Sequence, residues 1–220
     1  MDVEIRDRPS FAHITVKLAP GDTLIAEAGA MASMSASVRM VAKLAGGIFS
    51  AILRRVFGGE SMFVNEFTLG PGKSEGEVVL TQATPGDILE VKLQDTTLYA
   101  QPGAFIACGP GVKVGLSFAG LASFIAREGL FRLKLSGSGP VWFGAYGGII
   151  EREVQSEYIV DSSHLVAYEP TVSLQIGLAG GLISSILSGE GLVARIRGPG
   201  KVYLQSRSVQ GLISWTNQYL

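Results

Sequence analysis

Apolar residues come in short runs that often alternate with polar ones, and glycine, proline, serine or aspartate interrupts them at short intervals. That pattern predicts antiparallel strands with frequent turns. The arrangement repeats three times. Asp22-Thr23-Leu24-Ile25-Ala26-Glu27-Ala28-Gly29-Ala30-Met31, Thr96-Thr97-Leu98-Tyr99-Ala100-Gln101-Pro102-Gly103-Ala104-Phe105 and Ser156-Glu157-Tyr158-Ile159-Val160-Asp161-Ser162-Ser163-His164-Leu165 each read as apolar strand, polar residue, turn, second strand. A second block follows each one: Gly59-Glu60-Ser61-Met62-Phe63, Arg127-Glu128-Gly129-Leu130-Phe131 and Gly189-Glu190-Gly191-Leu192-Val193. Each leads through a glycine-rich turn (70–72, 137–139, 198–200) into another strand. Order and spacing agree across all three copies, which argues for triplication of one unit.

Between the two blocks lies an Ala-Gly start and an apolar run, predicted here as a short helix. The first run carries Ile48, Phe49, Ile52 and Leu53, the second Leu121, Phe124 and Ile125, the third Leu182, Ile183 and Ile186. In the first, Arg54 and Arg55 are the main polar residues, and a helix apolar nearly all round must be buried or meet a partner. The unit therefore reads as hairpin, apolar helix, hairpin. The expected fold is all-β: one domain of three antiparallel repeats, about 1–82, 83–147 and 148–220, around a pseudo-threefold axis, with each open sheet completing its neighbour.

Composition narrows the function classes. The chain has 220 residues, 47% hydrophobic and 17% charged, with a formal net charge of -1. Apolar content this high with so little net charge excludes intrinsic disorder. The 18 basic and 19 acidic residues balance without a basic block, which argues against a nucleic-acid partner. One cysteine and two histidines can build neither a disulfide framework nor a zinc site of the usual kind, so no metal or cofactor is expected. The densely charged opening from Met1 to Pro9 does not read as a secretory signal. The longest uncharged run, Pro170 to Gly189, alternates at Val172, Leu174 and Ile176 and reads as a strand followed by a short apolar helix, not a membrane span. A cytoplasmic protein is expected.

The opening Ala26-Glu27-Ala28-Gly29-Ala30-Met31 and the stretch from Gly46-Gly47 through Ile48-Phe49-Ser50-Ala51-Ile52-Leu53-Arg54-Arg55 to Gly59-Glu60-Ser61-Met62-Phe63-Val64-Asn65-Glu66-Phe67 resemble the Altered Inheritance of Mitochondria 24 family. The resemblance runs from about Leu18 to Ser206. It implies a three-repeat β structure in which each repeat is similar to one subunit of the tryptophan RNA-binding attenuator protein, and a tie to mitochondrial membrane organisation in some members. It implies no established reaction and no catalytic residues, and fold likeness alone assigns no ligand.

Candidate chemistry is sparse. Gly72-Lys73-Ser74 looks like the end of a phosphate-binding loop, but it precedes a strand and lacks the upstream glycine, position 67 being Phe67. Gly72-Lys73-Ser74-Glu75-Gly76 fits the letters of a nucleophile elbow without the strand-to-helix turn that motif needs. Asp161, Ser163 and His164 hold the atoms of a triad, yet neighbours in one turn are not oriented as one. His13 reads as structural or exposed, and Cys108 as a buried inert thiol. Glu60, Glu128 and Glu190 would be equivalent on a threefold axis, where three carboxylates would need a proton or cation between them; hydrogen bonds to turn amides are the simpler role. Glu27, Gln101 and Asp161 form a weaker trio, read as turn residues. The expected function is that of a non-enzymatic scaffold or binding protein that forms homo-oligomers through its apolar segments. A small-molecule site between repeats is the alternative. Enzymatic activity and peripheral contact with a membrane surface are weaker readings.

Overall fold

The computed structural model describes residues 1–44, 63–101, 103–118, 131–178 and 192–219. In chain order these form β1 (Asp2–Arg6), β2 (His13–Leu18), β3 (Leu24–Glu27), β4 (Met31–Met34), β5 (Val38–Leu44), β6 (Phe63–Leu69), β7 (Gly76–Leu80), β8 (Ile88–Ala100), β9 (Phe105–Cys108), β10 (Val112–Phe118), β11 (Phe131–Gly144), β12 (Ile149–Val154), β13 (Glu157–Asp161), β14 (Leu165–Tyr168), β15 (Ser173–Leu178), β16 (Leu192–Arg197), β17 (Gly200–Gln205) and a C-terminal helix α1 (Val209–Thr216). A 3-10 turn, Ser162–His164, links β13 to β14. The fold is all-β, as the alternation predicts, and β15 is the strand expected at Val172 to Ile176.

Three antiparallel sheets result, and among the described residues none closes into a barrel. One runs β1-β2-β7-β4, one β13-β16-β15, and the largest β12-β17-β14-β8-β11-β9-β3-β6-β5 with β10 added on β11. Strands β8 and β11 are long enough to serve two neighbourhoods. Residues 131–137 of β11 pair with the C-terminal part of β8 and with β10, whereas 139–144 pair with the N-terminal part of β8 and with β9. Between these halves β11 shifts register at Gly137/Gly139. Both glycines hold positive φ, and a Cβ on Gly137 would stand 2.3 Å from the Gly111 carbonyl oxygen, so no side chain fits there. The turn expected at 137–139 is thus a bulge within one bent strand.

The expected hairpins are corners instead. Strands β3 and β4 flank the Ala28-Gly29 turn without pairing: β3 bonds β6 and β9, and β4 bonds β7. The same holds for β6 and β7 around Pro71-Gly72. Both turns carry the cross-turn bond (Ala30 N to Glu27 O, and Lys73 N to Gly70 O, each 3.2 Å) and glycine at positive φ in third place. This is type II geometry, which splays the flanking strands, whereas hairpins need the primed types. Paired ladders occur elsewhere. Leu44 opposes Phe63 at the end of β5–β6, Phe118 opposes Phe131 at the end of β10–β11, and Leu178 opposes Leu192 at the end of β15–β16.

The apolar interior divides into three clusters. Ile14, Val16, Leu24, Phe67, Val78 and Leu80 form one, with Trp142 reaching into it. Leu98, Phe105, Leu133, Leu135, Val141 and Phe143 form the central one, with Tyr203 against them. Val154, Leu165, Ala194, Ile196, Val202 and Leu204 form the third. The first and third lie between a small sheet and the large one, whereas the central cluster is built from strands of the large sheet alone, which therefore curves around its own core.

Candidate functional site

The most informative geometry lies where strands from distant parts of the chain meet edge to edge. Strand β9 pairs with β3 through Ile25↔Cys108 and Ala26↔Ala107. Strand β14 pairs with β8 through Tyr99↔Tyr168 and Ala100↔Ala167. All four residues of β9 and of β14 are buried. The alanines at both junctions are fully buried and small enough to leave the interior space to their larger neighbours.

Strand β4 follows the same course as β9 and β14. Each begins after a corner and lies on a partner with one residue skipped: Met31↔Leu80 then Ser33↔Val79, Phe105↔Phe143 then Ala107↔Trp142, Leu165↔Leu204 then Ala167↔Tyr203. Yet β4 is the last strand of its sheet, as β13 is of its own. Ala32, Ser33 and Met34 are exposed, and so are Glu157, Tyr158 and Ile159. Met34 at 39% and Ile159 at 52% exposure are large for apolar side chains. Glu157, bound by Arg195 at 3.1 Å and Arg197 at 3.0 Å, is held below the usual carboxylate range by the two guanidiniums, Arg197 foremost.

The β8–β14 junction carries a second feature. Arg132 on β11 donates from Nη1 to the Tyr168 hydroxyl, and its guanidinium carbon sits 3.9 Å from the centre of the Tyr99 ring. The two tyrosine rings lie 5.6 Å apart. The Nε–H of Arg132 is buried without a hydrogen-bond partner. Among the described residues no carboxylate pairs with this cation, so the aromatic faces hold it.

The sequence-predicted residues fare unevenly. Glu60, Glu128 and Glu190 lie outside the described residues, as do the apolar segments with Ile48, Phe49, Ile52, Leu53, Leu121, Phe124, Ile125, Leu182, Ile183 and Ile186 and the arginines Arg54 and Arg55. Asp161, Ser163 and His164 are not arranged as a triad. Ser163 donates its hydroxyl to Asp161 at 2.8 Å and its N–H at 2.9 Å, while His164 places Nδ1 2.7 Å from the Gln205 carbonyl. The imidazole therefore faces backbone, not the serine. His13 meets Asp7 at 3.2 Å on a half-buried edge. Cys108 is fully buried, and burial pushes its thiol up to about 12, so it is an inert thiol. Gly72-Lys73-Ser74 leads into β7, with no helix to receive a phosphate. Lys73 lines a shallow depression of about 310 Å³ with Asp22, Thr23 and Thr68.

Glu27 and Asp161 end their strands and Gln101 follows the end of β8, each at the start of a corner, but the three do different work. Glu27 is half-buried and burial raises its carboxyl from 4.5 to about 7. Gln101 donates its backbone N–H to Val166 at 2.9 Å. Asp161 caps the 3-10 turn. Sequence reasoning missed Arg132. A lone arginine after the apolar end of the second block was the available signal, since Val64 and Ala194 follow the first and third blocks where Arg132 follows the second. Among the described residues, no three His, Cys, Asp or Glu side chains converge, and no helix is long and apolar enough to cross a membrane. Helix α1, capped by Ser208, has no buried residue and exposes Val209, Leu212, Ile213 and Trp215.

Comparison with known proteins agrees with this architecture. The crystal structure of a Streptococcus pyogenes protein superposes with a TM-score of 0.80 at 24% identity, covering 100% of this chain and 99% of that one. An uncharacterized protein of Streptococcus pyogenes serotype M6 is 27% identical over 219 residues, 96% of this chain and 87% of the relative. Residues 3–207 match the family described as mitochondrial biogenesis AIM24, and the chain belongs to that family. Helix α1 lies beyond the matched residues.

Proposed function

We propose that this member of the AIM24 family is a non-enzymatic, cytoplasmic β-scaffold of three repeats, about 1–82, 83–147 and 148–220, that works as a homo-oligomer. One observation carries the reading. The skipped-residue pairing of β4, β9 and β14 recurs three times, but a further strand covers it only twice. The repeats and their pseudo-threefold relation are supported by that recurrence, by an apolar cluster drawn mainly from each repeat, and by the three ladders that end where the apolar segments begin. Self-association is supported by the apolar side chains left on β4, β13 and α1, which a monomer has no reason to expose together. A single buried thiol with no disulfide suits a reducing compartment.

Native mass spectrometry of the full chain tests this. The expected result is a discrete multimer of unmodified mass. A single-chain mass throughout the micromolar range overturns it.

The partnerless Nε of Arg132 supports a second reading, a small anionic ligand held at the β8–β14 junction. Its mark would be a retained small mass that Arg132→Met releases.

A further inference from the structure

The two closed junctions use one register. In the repeat alignment, Ala26 corresponds to Ala100 and Val160, and Ala107 to Ala167 and Ser33. Ile25 likewise corresponds to Tyr99 and Ile159, and Cys108 to Tyr168 and Met34. The first junction pairs Ala26 with Ala107 and Ile25 with Cys108; the second pairs Ala100 with Ala167 and Tyr99 with Tyr168. Equivalent residues meet equivalent residues both times. Each junction is a strand of the β3 type from one repeat beside a strand of the β9 type from the next. The chain then ends this series with one of each left over: β13, of the first type, and β4, of the second.

We propose that β13 of one copy pairs antiparallel with β4 of a second copy, with Val160 opposite Ser33 and Ile159 opposite Met34. This deepens the homo-oligomer reading and rests on it. Three features of the two edges fit that occupant. Their backbones have no further ladder partner among the described residues, so each offers free N–H and C=O groups. Ser33 is a small residue at the place in β4 that Ala107 and Ala167 fill at the closed junctions. Ile159 and Met34 expose apolar surface that the pairing would cover, as Tyr99 and Tyr168 cover each other. The two edges differ, so the contact is heterologous: each copy donates β13 to one neighbour and β4 to another, and the assembly closes into a ring or grows as a chain. Glu157 at the start of β13, tied to Arg195 and Arg197, places charge beside the apolar stretch and disfavours pairing of β13 with itself.

Two measurements on the full chain test this. Met34→Cys and Ile159→Cys are made as separate proteins; Cys108 is buried and does not compete. Mixed and mildly oxidised, they are expected to give a disulfide-linked dimer that neither gives alone. A dimer from either protein alone shows like edges pairing and overturns the proposal. So does a double variant that cross-links within one chain when dilute, because the junction then closes internally. Sedimentation is the second measurement. Ile159→Lys is expected to weaken assembly at least tenfold, and mixing it with Met34→Glu to restore it. If the wild type assembles and neither substitution changes its mass, this pairing fails while the homo-oligomer reading stands. If the wild type sediments as one chain at every concentration, both fail.

Discussion

Strands β9 and β14 bury every residue, whereas β4, which has the same corner before it and the same skipped residue in its ladder, leaves three of four exposed. The contrast repeats on the facing strands: β3 and the end of β8 are covered, and β13 shows Glu157, Tyr158 and Ile159 to solvent. Local sequence does not explain this, since all three strands of each kind begin from the same pattern. What differs is whether a further strand from elsewhere in the chain pairs alongside. Burial in this molecule is therefore set by sequence-distant neighbours, and a position's tolerance to change follows its junction rather than its residue type.

The largest effect should come from placing a charge at equivalent points of the two regions. Ala107→Asp buries a carboxylate with no cation beside it and should cost upwards of about 4 kcal/mol, enough to prevent stable folding. Urea denaturation would register it; a variant that keeps wild-type stability would mean that the junction opens easily. Next is the clasp on the β8–β14 junction. Arg132→Ala removes the cation over Tyr99 and the bond to Tyr168 and should cost about 2 kcal/mol. Arg132→Lys should recover little of it, because a point charge lacks the flat guanidinium face. A double-mutant cycle with Tyr99→Leu would isolate the stacking contribution.

Glu27 offers a smaller and pH-dependent effect beside the β3–β9 junction. Its folded carboxyl titrates near 7 against 4.5 ordinarily, through burial. Below the ordinary value both folded and unfolded chains hold the proton, and the fold loses nothing. Between 4.5 and about 7 the unfolded chain ionises first, so stability falls as pH rises, then levels off. Glu27→Gln should flatten that slope, gaining on the order of 1 kcal/mol at pH 8 once its partial exposure is allowed for. Thermal melts at pH 5 and pH 8 compare the two. Smallest of all, Ser33→Asp on the open edge should change monomer stability by less than about 0.5 kcal/mol. A cost like that of Ala107→Asp would show that β4 is covered in the working protein.

Much of the corner geometry was readable in advance. A proline ring excludes positive φ, so Pro71-Gly72 and Pro102-Gly103 cannot adopt the type I′ turn of a hairpin and specify type II. Read that way, the splayed strands follow from the turn residues. Two other features were not readable. The bulge at Gly137/Gly139 depends on Gly111 lying against it, and the partners of His164 depend on Gln205 arriving from β17. The triad letters at Asp161, Ser163 and His164 looked like chemistry because sequence shows which atoms are near one another, not where their lone pairs point.

By itself the sequence determined that the chain is all-β, where many of its strands and corners fall, and which family it belongs to, because alternation and turn chemistry act over a few residues. Only the tertiary structure decided which strands lie side by side, which corners replace hairpins, and which two edges stay open. Ladder bonds join backbone groups that every residue carries alike, so the choice of partner is made by twist, core packing and the order of the corners, and those act across the whole chain.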